Sequence, residues 1–277
     1  MRQYFLTLFL ALLFSVTGEY ALALEPVPDK LVVLSFDDCN KSDRHFVAGV
    51  LSKHGFGATF YVTEGLGFHG DKGHYVTWEE ISELHRMGFE IGNHTKSHPN
   101  VARLSRDRLT GEIEHIEKRC TEHGIAKPTT FAFPGFSHNL RAVEVLAERG
   151  YLFARRGVGP EYPDGGSGAR GPGYDPASDH PLLIPTTGYA GPKWGMRDLQ
   201  WAIAQAKDGK IAILCFHGVP ALDHPWVNCK PEEFKKYMQL LKDEGCTVIA
   251  MRDLARYVDP KKKPEDPYAP IRARVKQ

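Results

Sequence analysis

Two periods of apolar residues alternate along this chain. Short apolar, β-branched runs at residues 31–36 (LVVLSF), 58–62 (ATFYV), 90–93, 130–133, 152–155, 182–184, 211–216 and 247–250 read as strands. The runs at 31–36 and 211–216 carry almost no polar residue, as strands buried on both faces do. Between the strands, helical spacing predicts helices over 43–54, 77–88, 105–122, 140–149, 195–207 and 231–244, and a last turn or two over 252–257. Gly55, Gly88, Gly124, Gly150 and Gly209 stand where five of these helices stop. Thr77-Trp78-Glu79-Glu80 has the form of a capping box, in which Thr77 and Glu80 each satisfy the other's backbone N–H.

Repeated strand–helix units closed by glycine predict an α/β fold, a parallel sheet with helices outside it. Seven or eight such units in about 235 residues fit a (β/α) barrel, with a doubly wound open sheet as the alternative. Both architectures place a site beyond the carboxyl ends of the strands. Residues 157–181, rich in Gly, Pro and Asp, interrupt the alternation and form a connection long enough to carry function. From residue 259 the chain is rich in Pro and in Lys and Arg, and is expected to be a loose tail.

The first segment stands apart from the fold. Arg2, an apolar run over 4–16 and Ala21-Leu22-Ala23 have the layout of a secretory signal peptide, with small residues at the −3 and −1 positions of a cleavage site. The run falls short of the roughly 20 residues a membrane span needs. The expected organisation is a signal peptide over 1–23, one catalytic domain over 24–258 and a basic, Pro-containing tail over 259–277. The destination is secreted or periplasmic, with no stable membrane span after removal of the signal. With 35 basic and 34 acidic residues the net charge is +1, which gives no concentrated basic face for nucleic acid. The five cysteines form no CxxC pair, so a structural zinc knot is not expected.

Four polar clusters fall at the ends of expected strands. Asp37-Asp38 follows the first. Two adjacent carboxylates in extended chain point opposite ways; they read either as a helix N-cap with a solvated neighbour or, functionally, as one metal ligand and one free general base. His94 and His98 follow the third strand at a spacing that one helical turn brings onto one face, where they can hold one metal; alone, such a pair is more often two surface side chains. Phe133-Pro134-Gly135-Phe136 ends the fourth strand, where the backbone N–H of Gly135 can meet a developing oxyanion and the aromatic groups can wall a substrate. His217 ends the 211–216 strand and is a candidate general acid for a leaving amine. A ligand set of two histidines and an aspartate with open positions suits one divalent metal, zinc first among them.

These residues resemble the polysaccharide deacetylase family, the NodB-homology domain of carbohydrate esterase family 4, over about residues 31–250. Ser35-Phe36-Asp37-Asp38 resembles the family's first motif, and His94-Thr95-Lys96-Ser97-His98-Pro99 matches its second in full. Ala132-Phe133-Pro134-Gly135 and Cys215-Phe216-His217 stand where the third and fifth belong. The resemblance implies a distorted (β/α) barrel, with Asp37 as base, Asp38, His94 and His98 as metal ligands, Gly135 as oxyanion donor and His217 as acid. It implies hydrolysis of N-acetyl groups on an N-acetylated polysaccharide or oligosaccharide. Ala132 departs from the family's motif-three Arg, which pairs with the base; Arg155 or Arg156 is the expected substitute. The fourth motif, an Asp that orients the acid and a Trp that lines the groove, is unplaced; Asp175, Asp179 and Asp198 are candidates for the first and Trp194 for the second. Two other readings remain: a non-catalytic carbohydrate-binding barrel, and a hydrolase of a non-sugar amide on the same fold.

Overall fold

A computed structural model describes residues 23–162 and 168–276. The expected signal peptide lies outside the described residues, apart from Ala23. Strands β1 (Leu31–Asp37), β2 (Thr59–Val62), β3 (Glu90–Asn93), β4 (Thr130–Ala132), β5 (Phe153–Arg155), β6 (Ala169–Arg170), β7 (Gly188–Tyr189), β8 (Ala212–Phe216) and β9 (Thr247–Ile249) belong to one sheet. Helices α1 (Ala48–His54), α2 (Trp78–Arg86), α3 (Arg106–Glu122), α4 (Leu140–Glu148), α5 (Met196–Gln205), α6 (Pro231–Asp243) and α7 (Ala269–Val275) flank it.

The strand order is β5-β4-β3-β2-β1-β8-β7-β6, parallel throughout except for the β6–β7 pair. All seven residues of β1 are buried, and its two ends use their neighbours differently. Leu31–Val33 pair with β9, while Ser35–Asp37 pair with β2. The chain from 184 to 189 joins the two ends of the sheet. Ile184 bridges Arg155 of β5, and four residues later β7 pairs with β8. The curled sheet is therefore the distorted barrel of parallel strands expected from the alternation, with its carboxyl ends gathered on one rim.

Three local readings change. The expected strand over 182–184 is a 3-10 turn, Pro181–Leu183, followed by the single bridging residue Ile184. Neither β6 nor β7 is legible as a strand, because two residues carry no period. The end of the chain is not loose. Ile271 of α7 is buried in the same apolar cluster as Val101 and Phe133, and Tyr268 meets His138 at 2.9 Å. Arg274 pairs with Asp179 at 2.6 Å and Glu161 at 3.1 Å, which anchors this basic stretch to the 157–181 connection.

The capping box forms as the sequence reads: Thr77 Oγ1 accepts from the Glu80 N–H at 3.2 Å, and Glu80 accepts from the Thr77 N–H at 2.7 Å. Thr77→Ala is expected to lower stability by about 1 kcal/mol, measurable by chemical denaturation. Glu80 also holds Lys41 and His45. The same cap therefore ties α2 to the segment that follows the first motif.

Candidate metal centre

β1 delivers Asp37 to the rim in extended chain, and the backbone then leaves the strand abruptly. Asp38 (φ 76°) and Cys39 (φ 59°) both occupy the left-handed region, which non-glycine residues avoid and Asp tolerates better than most. This reversal cancels the alternation of side chains. The two carboxylates, expected on opposite faces, line one cavity of about 160 Å³. Such backbone costs of order 1–3 kcal/mol per residue and persists only where its surroundings hold it. Here Asn40 Nδ2 donates to the Asp37 carbonyl at 3.0 Å, and Asn40 bridges Tyr75.

The second motif does not form the helical turn expected from its spacing. Residues 94–99 are a loop, with Thr95 (φ 67°) and His98 (φ 54°) again left-handed. Asn93 Oδ1 accepts from the Thr95 N–H at 2.9 Å, and Thr95 Oγ1 accepts from the His98 N–H at 3.2 Å. Glu112 of α3 accepts from Ser97 N–H and hydroxyl. Gly65 presses against the loop from β2's side: a Cβ there would lie 2.7 Å from the Ser97 carbonyl carbon.

This loop brings both imidazoles to Asp38. Nε2 of His94 and of His98 lie 3.5 and 3.4 Å from Asp38 Oδ1. The three ligand atoms fall within 4.8 Å of one another. His94 Nδ1 is 2.8 Å from the Ala132 carbonyl oxygen, so it carries the proton and leaves the Nε2 lone pair facing Asp38. Asp38 Oδ1 is buried with no hydrogen-bond partner among the described residues. A buried anionic oxygen without a donor, facing two imidazole nitrogens, is the arrangement a divalent cation completes. The residues fit one metal of borderline softness. Burial raises the Asp38 carboxyl, but the three surrounding histidines outweigh it and hold the group well below the usual range. Burial also brings His98 down to about 4, which favours the neutral, ligating ring.

Asp37 sits beside this group without belonging to it. Its Oδ2 accepts from Arg155 Nη2 at 2.5 Å and from the Cys215 thiol at 3.7 Å. Its Oδ1 is buried without a partner among the described residues. Burial raises the carboxyl, yet Arg155, His94 and His217 hold it below its ordinary value, so it is ionised. His217 Nε2 lies 4.0 Å from Asp37 Oδ2 and 3.7 Å from Asp38 Oδ2; burial keeps its ring below the ordinary histidine value.

The fourth cluster turns sharply at Gly135 (φ 54°) and Phe136 (φ 57°), and both line the cavity. Phe136 packs its ring edge-on to Tyr189, 5.3 Å between centroids, and below Arg155. Gly157 permits this, since a Cβ there would lie 2.6 Å from the Phe136 ring. Pro134 starts the turn and is buried behind it rather than on the cavity wall.

Several expected residues lie elsewhere. Trp194 is buried in the main core against Phe216 and Tyr237, and does not line the cavity. Arg156 is fully buried but turns away from Asp37, bonding Glu161 and the Leu183 carbonyl. Asp198 caps α5 and pairs with Arg170; Asp175 closes its own turn with Ala177; Asp179 holds Arg274. None of these carboxylates reaches His217, whose Nδ1 has no partner among the described residues. Cys39 accepts from the Thr63 N–H within the core and stays clear of the metal ligands. Leu66, Tyr189, His224, Trp226 and Val227 complete the cavity wall, and no motif pointed to them. Trp226 had one signal, an aromatic residue in the Pro- and His-containing loop directly after His217.

The barrel carries this rim cluster as a candidate metal centre. The family model for polysaccharide deacetylase matches residues 25–154, from the first motif through the fourth cluster. A peptidoglycan-N-acetylglucosamine deacetylase of Bacillus cereus is 33% identical over 109 residues, 38% of this chain and 36% of the relative. The matched segment thus spans about a third of that relative's length. The Xyl-CE4 domain of a multidomain xylanase from the hindgut metagenome of Trinervitermes trinervoides superposes with a TM-score of 0.54 at 19% identity, over 82% of this chain and 90% of that one. A family-4 carbohydrate esterase pseudoenzyme from Bacillus anthracis gives a TM-score of 0.54 at 17% identity, over 87% and 68%. The chain is thus similar to the polysaccharide deacetylase family over just under half of its length, and it shares the fold of family-4 carbohydrate esterase structures. Because the same fold carries a pseudoenzyme, activity has to be argued from the site.

Proposed function

We propose that this protein is a metal-dependent hydrolase that removes N-acetyl groups from an N-acetylated glycan outside the cytoplasm. The observation that carries the reading is the single cavity shared by three ligand atoms within 4.8 Å, a separate ionised carboxylate and a buried histidine. Binding alone needs neither Asp37 nor His217.

Asp38, His94 and His98 would hold one divalent ion, zinc being the best match to two imidazoles and a carboxylate. Bound there, it would polarise the amide carbonyl and make water a better nucleophile. Asp37 takes the proton of the attacking water on Oδ1, its unpartnered oxygen, while Arg155 and Cys215 fix Oδ2. The rim backbone at Gly135 faces the carbonyl oxygen as it gains charge. Burial keeps His217 neutral at rest, so it must receive a proton before giving one. The Asp37 carboxyl, whose Oδ2 lies 4.0 Å from His217 Nε2, is the neighbouring group that can return the proton it took, and His217 Nε2 then protonates the departing amine. The products are acetate and a free amine on the sugar. Phe136, Tyr189 and Trp226 offer ring faces and edges to the sugar.

The test is acetate release from chitin-type, peptidoglycan-type and exopolysaccharide-type oligosaccharides. One divalent ion per chain is expected, with release stopped by a chelator and restored by zinc. A protein that carries its ion yet frees acetate from none of the three refutes the glycan reading.

A further inference from the structure

A second cavity, of about 290 Å³, lies beside the metal cavity and is larger than it. The same two stretches of chain wall both. Asp37 and Asp38 face the metal cavity, and residues 40–42, His45 and Phe46 the second; His217 and His224 face the first, and Val219, Pro220, Leu222 and Asp223 the second. The partition between them is a side-chain contact, Tyr75 Oη to His224 Nε2 at 3.1 Å.

The chemistry of the second cavity is decided by which of its groups are still free. Lys41 and His45 both pair with Glu80, at 2.7 and 2.5 Å. His74 lies between Asp71 and Asp223, at 2.7 and 3.1 Å. Ser42 Oγ accepts from the Val219 N–H at 2.7 Å and donates to the Pro220 carbonyl at 3.3 Å. The Asn40 amide N–H is spent on the Asp37 carbonyl. What remains for a ligand is carbon: the rings of Phe46 and Tyr75, Val219, Pro220, Pro231 and, at the mouth, Leu222, which is 66% exposed. Small-molecule sites have this character and begin near this size, about 300 Å³. Its wall is mostly carbon, so a chain of hydroxyl-rich sugars would find few unpaired partners in it.

Resting on the deacetylase reading, we propose that this cavity binds an apolar substituent, an aryl or short branched alkyl group, carried by the substrate next to the sugar whose N-acetyl group enters the metal cavity. The Tyr75–His224 contact sets the spacing between the two. The site selects substrates with an apolar group adjoining the acetamide, in place of a uniform run of sugars.

The experiment compares 4-fluorophenyl and methyl N-acetyl-β-D-glucosaminide as substrates, with fluorine NMR of 4-fluorophenyl β-D-glucoside, which has no acetamide to cleave. The aryl substrate is expected to have a KM lower by on the order of ten-fold at similar kcat, as burial of one ring would give. The fluorine signal is expected to broaden on adding protein. Two variants remove the site in opposite ways. Leu222→Asp puts a charge at the mouth, and Gly73→Leu fills the space, where an added Cβ meets only the Asp71 carboxylate at 3.2 Å. Both are expected to erase the KM difference and the broadening while sparing the methyl substrate. Equal KM values in the parent protein, or broadening that survives both variants, overturns the proposal. If neither glycoside is hydrolysed, the oligosaccharide test above decides the deacetylase reading, and the NMR titration alone decides the cavity.

Discussion

Asp38→Ala is expected to remove the bound divalent ion and reduce acetate release to background, while its neighbour Asp37→Asn keeps the ion and still loses turnover by about 10²- to 10⁴-fold. The contrast follows from the backbone. Left-handed residues at 38 and 39 put two consecutive carboxylates in one cavity, yet their partners differ completely. Asp38 faces the Nε2 atoms of His94 and His98, and Asp37 faces Arg155 and Cys215. Asp37→Asn keeps the shape and an acceptor for Arg155 but cannot take a proton at Oδ1. Metal content by elemental analysis and acetate release on the same preparations read the two functions separately. An Asp38→Ala protein that keeps both its ion and its activity would falsify the assignment of the centre. Loss of the ion in Asp37→Asn would merge the two roles and remove the free base.

The parts of this molecule that local periodicity specifies were legible in the chain. LVVLSF is buried throughout, the 77–80 capping box forms, and the polar clusters all stand at strand ends. What the sequence hid depends on contacts distant along the chain. Left-handed φ values at Asp38, Thr95, His98 and Phe136 are unfavourable locally and are held by Asn40, Glu112, Gly65 and Gly157. So the histidines were expected on a helical turn, whereas a loop with two reversed residues brings them together. Trp194 is the expected groove wall of the unplaced fourth motif. It packs instead against Phe216 and Tyr237, and the wall is Trp226. A lone tryptophan has no period, so its burial was undetermined until its neighbours were known. The tail misled in the reverse sense: its composition is polar, but Ile271 and Arg274 suffice to dock it.

Arg155→Ala is expected to be the most damaging change outside the metal ligands and the base. Arg155 is fully buried, with Nη2 on Asp37 Oδ2 at 2.5 Å and Nη1 on Thr186 at 3.3 Å. Removing one member of a buried ion pair leaves the other charged without compensation and costs about 3–5 kcal/mol. Asp37 would then lose its orientation and the charge that keeps it ionised, with turnover falling on the order of 10²-fold and KM changing little. The family-like position for this guanidinium is 132, which here is alanine. Ala132 of β4 and Arg155 of β5 are register partners, so their side chains leave adjacent strands at one level and on one face. The charge has moved one strand along the barrel wall while keeping its target. Ala132→Arg combined with Arg155→Ala is therefore expected to recover most of the stability and most of the turnover. Recovery of both, followed by denaturation and by steady-state kinetics, is the signature of a positioning role. If the exchange restores stability and leaves turnover at the Arg155→Ala level, Arg155 acts on the fold alone, and the base is oriented by Cys215 and the strand that carries it.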